Sequence, residues 1–195
     1  MNLSALLLIP MLLAASLVHG EMSQQELREI LGPRIEGMKH VGTTGILVDA
    51  VKAQNSQLLS PEEILSIDAD WKAGNSPKIS EIQHTRASKY LKSLIRRMSN
   101  TYSEAYIVDK RGANVAMYPD TSDYWQGDED SFLQAYADGK GAVYVATPHH
   151  DESTDADEVK VSVPMLDGDE VIGVLFMGVK VSAVEAQKIR NLKAK

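Results

Sequence analysis

The stretch Ala105-Tyr106-Ile107-Val108-Asp109-Lys110-Arg111-Gly112, continued by Ala113-Asn114-Val115-Ala116-Met117-Tyr118, decides the fold. Residues 105–109 have the apolar, β-branched character of a strand, Lys110-Arg111-Gly112 supplies a tight turn with glycine where a positive φ is needed, and residues 114–118 return as a second strand. A hairpin here implies antiparallel pairing. It also marks a boundary: upstream of it apolar residues recur with the period of about 3.6 of a helix, and downstream with a period of about 2.

Working upstream, Ser23-Gln24-Gln25-Glu26 has the form of a capping box, and Leu27, Ile30, Leu31, Ile35 and Met38 then fall on one helical face. Gly32-Pro33 interrupts that face and predicts a kink or break. A second start lies at Ser60-Pro61-Glu62-Glu63, with proline at the first helical position, carboxylates at the positive end of the helix dipole, and Ile64, Leu65, Ile67 and Trp71 behind them. A third helix is predicted over residues 80–98, where Ala87, Leu91, Leu94, Ile95 and Met98 form an apolar stripe. The basic run at residues 89–97 reads as the solvated side of that helix.

Downstream, residues 123–139 carry the motif DYWQGDED and a short helix through Phe132, Leu133 and Tyr136, ended by Gly139. Residues 142–147 read as a third strand. In the fourth, Val159, Val161 and Val163 alternate with Lys160 and Ser162, so one face is apolar and one polar. Asp167-Gly168 makes a hairpin into residues 171–181, which are apolar on both sides, as a covered central strand would be. A helical segment followed by hairpin-linked strands predicts an α+β fold with an antiparallel sheet.

The chain of 195 residues is long enough for one domain with a sizeable core, and its net charge of −7 argues against a nucleic-acid partner. Lacking cysteine, it has no disulfides, thiolate metal sites or cysteine nucleophiles. Residues 3–18 form an almost unbroken apolar run ending in Val18-His19-Gly20, which reads as an export signal over residues 1–20 cleaved after Gly20, although no Lys or Arg precedes it. The expected location is periplasmic, with membrane contact only if that segment is retained. The expected organisation is the signal, an N-terminal helical segment over residues 21–100, a core over residues 101–184 and a C-terminal tail over residues 185–195.

The ordered set Ala105 through Gly112, Thr121-Ser122-Asp123-Tyr124-Trp125-Gln126-Gly127-Asp128-Glu129, Asp151-Glu152-Ser153-Thr154, Val161-Ser162-Val163-Pro164, Asp167-Gly168 and Val171-Ile172-Gly173-Val174 resembles a single Cache domain. These are the PAS-like extracytoplasmic sensor domains of bacteria, also called PDC domains. The resemblance spans residues 101–184, and the helices before them match the long N-terminal helix such domains place behind their sheet. It implies a PAS-like antiparallel sheet of about five strands backed by a long N-terminal helical segment. It also implies a pocket between the sheet and the cover after the second strand, holding a small ligand such as a carboxylate, amino acid or amine. Most relatives precede a transmembrane helix and a kinase, cyclase or chemotaxis module. This chain carries no second apolar segment after its last strand, so the expectation is a stand-alone exported sensor domain that signals, if at all, through a membrane-bound partner. The alternative is an interaction or scaffold protein whose pocket is filled by its own side chains.

Tyr124 and Trp125 sit where such a fold closes its pocket, and can supply an aromatic wall with fixed donors; the competing reading pins the loop to the core, with Asp128 or Asp130 capping the helix behind. Asp128 is also a candidate ligand contact. Asp151 falls where relatives place an acidic contact, within a carboxylate-rich run that lacks the spacing of a calcium loop. Tyr106, Met117, Tyr144 and Lys160 lie on strands beside the expected pocket, with Lys160 either plain solvent-facing alternation or a counter-charge for a ligand carboxylate. His149-His150 is awkward as a metal pair, because neighbours on a strand point to opposite faces. No nucleophile motif, phosphate loop or dinucleotide fingerprint occurs, so no catalysis, cofactor or metal is expected.

Overall fold

The computed structural model describes residues 22–194; the predicted export signal lies outside them. In chain order the elements are helices α1 (Gln24–Gly42), α2 (Gly45–Asn55), α3 (Pro61–Lys72), α4 (Pro77–Gln83) and α5 (Arg86–Arg97), then strands β1 (Tyr102–Asp109) and β2 (Asn114–Tyr118). The cover helix α6 (Asp130–Tyr136) follows, then β3 (Tyr144–Val145), β4 (His149–Asp151), β5 (Ala156–Asp167), β6 (Glu170–Lys180) and α7 (Val181–Lys193). All strand pairs are antiparallel, in the order β2-β1-β6-β5-β3, with β4 also paired to β5.

Local chemistry sets the element ends. The Ser23 hydroxyl accepts from the Glu26 N–H to start α1, and Ser60 with Glu63 completes a reciprocal capping box at α3. Of the kink or break predicted at Gly32-Pro33, the break does not occur: α1 runs through Pro33. Proline inside a helix costs about 3 kcal/mol. Burial of Leu27, Ile30, Leu31, Ile35 and Met38 on one face, at roughly 1.5–3 kcal/mol each, outweighs it. The single helix predicted over residues 80–98 is two, because the Thr85 hydroxyl takes the Ser88 N–H and opens α5 afresh. Helix α2 and the helical form of residues 181–193 were not read from the sequence.

The turn between β1 and β2 forms as expected. Gly112 has φ +82°, and the Asp109 carboxylate accepts from the N–H groups of Arg111 (2.8 Å) and Ala113 (3.0 Å). A side chain at Gly112 would collide with Gly127, so the same glycine lets the cover loop lie directly on the hairpin.

The sheet separates two apolar clusters. On one face Ala105, Ile107, Val159, Val161, Val163, Leu175 and Met177 pack against α1, α2 and α5. On the other, Tyr106, Val108, Met117, Val174 and Phe176 meet Ile64 and Trp71 of α3, Ile82 of α4, and Tyr124, Phe132 and Ala135 of the cover. Not all of the N-terminal helical segment therefore lies behind the sheet: α3 and α4 contribute to the cover side. Among the described residues, no helix is long and apolar enough to cross a membrane.

Candidate functional site

Register fixes which side chains look at the cover. Met117, Tyr106, Phe176, Ser162 and Tyr144 stand directly opposite one another across β2, β1, β6, β5 and β3. Tyr106 and Phe176 stack with centroids 4.5 Å apart. One step along β5, on the same face, Lys160 lies opposite Gly178, and Glu158 follows it.

Between this platform and the cover is a cleft of about 270 Å³. Its sheet side includes Tyr106, Tyr144, His149 and Lys160, and its cover side Asp123, Gln126, Glu129 and Asp130. Of the two readings of Lys160, plain solvent-facing alternation is not what forms. Its ammonium lies 3.1 Å from Glu104 Oε1, 3.4 Å from Asp151 Oδ2 and 3.9 Å from Glu158 Oε1, and 5.6 Å from the Tyr106 ring centroid. Glu104 and Glu158 are buried, so this is a partly desolvated cluster of three carboxylates around one ammonium.

The electrostatics follow from that crowding. Burial pushes the Glu104 carboxyl well above the ordinary range, against the pull of Lys160. Burial likewise raises Glu158, with the hydrogen bond from Ser103 opposing it. Burial would lower Lys160, but the Tyr106 phenol and the carboxylates of Glu104 and Glu158 raise it further, so it stays charged. At Asp151 burial is overcome by the Ser153 hydrogen bond and by Lys160, and its carboxyl ends below the usual value. Glu129 on the cover is raised by burial and by Asp123 and Asp128.

Four buried polar atoms lack a hydrogen-bond partner among the described residues: Glu104 Oε1, Glu158 Oε1 and Ser162 Oγ near Lys160, and Asn114 Oδ1 on β2. The 3.1 Å approach of Lys160 to the first is an ionic contact whose angles fall outside hydrogen-bond geometry.

The two rings expected to wall the pocket face away from the cleft. Tyr124 is fully buried, packs on Trp71 with centroids 5.7 Å apart, and accepts from Gln54 Nε2 at 2.9 Å. Trp125 donates its indole N–H to the Arg111 carbonyl at 2.8 Å. Asp68 accepts the backbone N–H groups of both, at 2.9 and 3.0 Å. These contacts pin the loop to the core, the alternative the sequence left open. Asp128 is exposed and does not cap α6, whose N-cap position is Glu129 without a side-chain bond. Met117 is buried, its sulfur 3.8 Å from both Asn114 Nδ2 and Thr121 Oγ1.

Of the expected residues, Tyr106, Tyr144 and Lys160 therefore line the cleft, and Asp151 reaches it through Lys160. Glu104, Glu158, Asp123 and Glu129 went unrecognised. The signal for the first two was parity: Glu104 shares a face with Tyr106, and Glu158 with Lys160 and Ser162. His149 and His150 do point apart, the first toward Glu158 and the second toward Asp155 and Asp157.

The chain matches no protein-family model and no curated protein. Among solved structures it is similar to the extracellular domain of the putative histidine kinase vpHK1S-Z8, at 12% identity over 83% of this chain and 55% of that one, with a TM-score of 0.50. It is also similar to the V. cholerae histidine kinase DctB sensor domain (17% identity, 84% and 55% covered, TM-score 0.46) and to the sensory domain of the Campylobacter jejuni chemoreceptor Tlp3 with isoleucine bound (12%, 84% and 60%, 0.41). The chain spans a little over half the length of the two kinase domains. At these identities the likeness speaks to the fold alone: an α+β arrangement of a PAS-like antiparallel sheet flanked by helices.

Proposed function

We propose that this domain is an extracytoplasmic sensor that binds, without catalysis, a small organic molecule bearing an ammonium group in the cleft between α6 and the sheet. The observation that carries the reading is the charge balance of the cleft. Lys160, the cation facing it, is already engaged by Glu104 and Asp151, which leaves it poorly placed to receive a ligand carboxylate. Across from it the cover presents Glu129 and Asp130, beside Asp123, which Lys72 and Gln126 already engage. A ligand cation there gains from the carboxylates and from the half-buried ring of Tyr144, since Phe176 and Lys160 already occupy the Tyr106 ring. A volume of about 270 Å³ suits a ligand the size of an amino acid or short diamine.

Such a ligand bridges the α6 cover and the β5 platform, and so favours the closed arrangement by its differential affinity for it. The change passes to a membrane-bound partner through the helices behind the sheet. On this reading the domain works outside the cytoplasm, which the apolar run at residues 3–18 supports as an export signal.

The test is a melting-temperature panel of primary amines, diamines, amino acids and simple carboxylates. Amine-bearing compounds raise Tm, and Glu129→Gln with Asp130→Asn removes the shift while the unliganded Tm holds. Stabilisation by carboxylates alone, or by no compound, overturns the reading, and the latter outcome favours an interaction module instead.

A further inference from the structure

The wall of the cleft contributed by β4 and β5 holds a second arrangement, separate from the carboxylates of the cover. One ligand atom each from His149, Asp151 and Glu158 lie within 4.8 Å of one another. Glu158 Oε1 has no hydrogen-bond partner among the described residues, and Asp151 Oδ2 has only the long contact from Lys160.

Glu158 is the most telling. Its side chain is 0% exposed, its Oε2 accepts from Ser103, and its Oε1 has no hydrogen-bond partner among the described residues. Lys160 is 3.9 Å from that oxygen, beyond hydrogen-bond reach. The sheet makes room for this carboxylate by leaving out a side chain, since a Cβ at Gly178 would strike Glu158 Oε2 and Ser103 Oγ. An unmatched buried carboxylate oxygen costs free energy unless a cation completes it.

His149 supplies the complementary donor. Its Nδ1 lies 3.3 Å from the Thr147 carbonyl oxygen, which can only accept, so the neutral ring that bonds it carries its lone pair on Nε2, 3.9 Å from Glu158 Oε1. A ring nitrogen bonded to a backbone carbonyl behind, with the other turned to carboxylates in front, is the usual posture of a metal-ligating histidine. Asp151 is held in place in the same manner: its Oδ1 accepts from Ser153 Oγ (2.6 Å), Thr154 N (3.0 Å) and Thr154 Oγ1 (3.2 Å), while Oδ2 has Lys160 Nζ as its one partner among the described residues, at 3.4 Å.

We propose that His149 Nε2, Asp151 Oδ2 and Glu158 Oε1 form a binding site for a divalent transition-metal ion of the zinc class. An imidazole among the donors selects such an ion over calcium or magnesium, which take oxygen alone. Donors about 2.0–2.2 Å from a shared ion sit closer together than they do here, and a turn of the partly exposed His149 ring closes the shell. An ion there takes Asp151 Oδ2 and Glu158 Oε1 from Lys160, which keeps its 3.1 Å pairing with Glu104. Three protein donors leave a coordination position open toward the cleft. The site does not depend on the amine reading, because its donors come from the sheet side and that reading rests on the cover.

The experiment is isothermal titration of the unliganded protein with zinc chloride, repeated for His149→Ala, Glu158→Gln and His150→Ala, with a thermal melt of each. The expected result is one zinc per chain, an affinity loss of at least about 10-fold for His149→Ala and for Glu158→Gln, and a change within about twofold for His150→Ala. Cobalt substituted for zinc gives visible absorption bands in the parent and not in His149→Ala. Should Glu158→Gln fail to fold, the exposed position of His149 keeps the test intact. Parental zinc affinity in His149→Ala, no zinc binding at all, or a loss that follows His150 overturns the site. The zinc titration uses no amine and the amine panel no zinc, and the two sets of variants share no residue, so the two readings fail separately.

Discussion

The two faces of strand β5 are built on opposite principles. Val159, Val161, Val163 and Met165 turn to the helices and are fully buried among apolar neighbours. Glu158, Lys160 and Ser162, alternating with them, turn to the cover and carry buried charge and unmatched polar atoms. The first face stabilises by area removed from water and tolerates few alternatives. The second is stable only as a set, because each charge depends on another. One strand thus anchors the fold with its odd positions and holds the chemistry with its even ones.

Substitutions test this contrast. The largest loss is expected on the helix face: Leu175→Ala, at a fully buried site, lowers unfolding free energy by about 2–5 kcal/mol in urea, and no second cover-face substitution recovers it. On the cover face, Lys160→Met leaves Glu104 without its cation and costs about 3 kcal/mol, whereas adding Glu104→Gln restores more than half. Equal losses in the single and double variants would show that the two charges are not coupled. Tyr124→Phe strands the Gln54 amide and costs about 1–1.5 kcal/mol.

The same tyrosine carries a pH signature. Burial pushes the Tyr124 phenol up to about 12, with Asp109 adding to it and the Gln54 hydrogen bond opposing. A group raised above its unfolded value of about 10 contributes fully below that pH and loses its contribution as the pH climbs toward 12. Urea unfolding between pH 9 and pH 12 therefore falls more steeply in the parent than in Tyr124→Phe. The smallest effect belongs to Asp128→Asn, an exposed position outside the cleft, where stability changes by less than about 0.5 kcal/mol.

Much of the architecture was legible because local chemistry and tertiary packing agree in this chain. Gly112 and Asp167-Gly168 announce the hairpins, Ser60 and Glu63 announce α3, and the valine alternation announces β5. Where they disagree the reading failed. Pro33 argues against a helix that burial holds together, and residues 45–55 form α2 although Thr44 gives it no side-chain cap. The break at Thr85 hides inside a continuous apolar stripe. Strand β4, His149–Asp151, has no alternation to betray it.

The site was legible only by strand parity. Tyr106, Tyr144 and Lys160 could be placed near a pocket, but which carboxylates surround Lys160 depends on strands distant in sequence. Tyr124 and Trp125 were misplaced for a related reason. Rings beside acids look alike whether they wall a pocket or fill a core, and here Asp68, on a helix far upstream, decides the matter by capturing both backbone N–H groups.

Gly178 has a consequence for how this domain can vary. Even the methyl group of alanine would expel the Glu158 carboxylate from its niche, so the acidic character of that wall hangs on a residue with no functional group of its own. Changes in chemistry on this scaffold can therefore begin with gain of bulk at position 178, ahead of any exchange of the reactive side chains themselves.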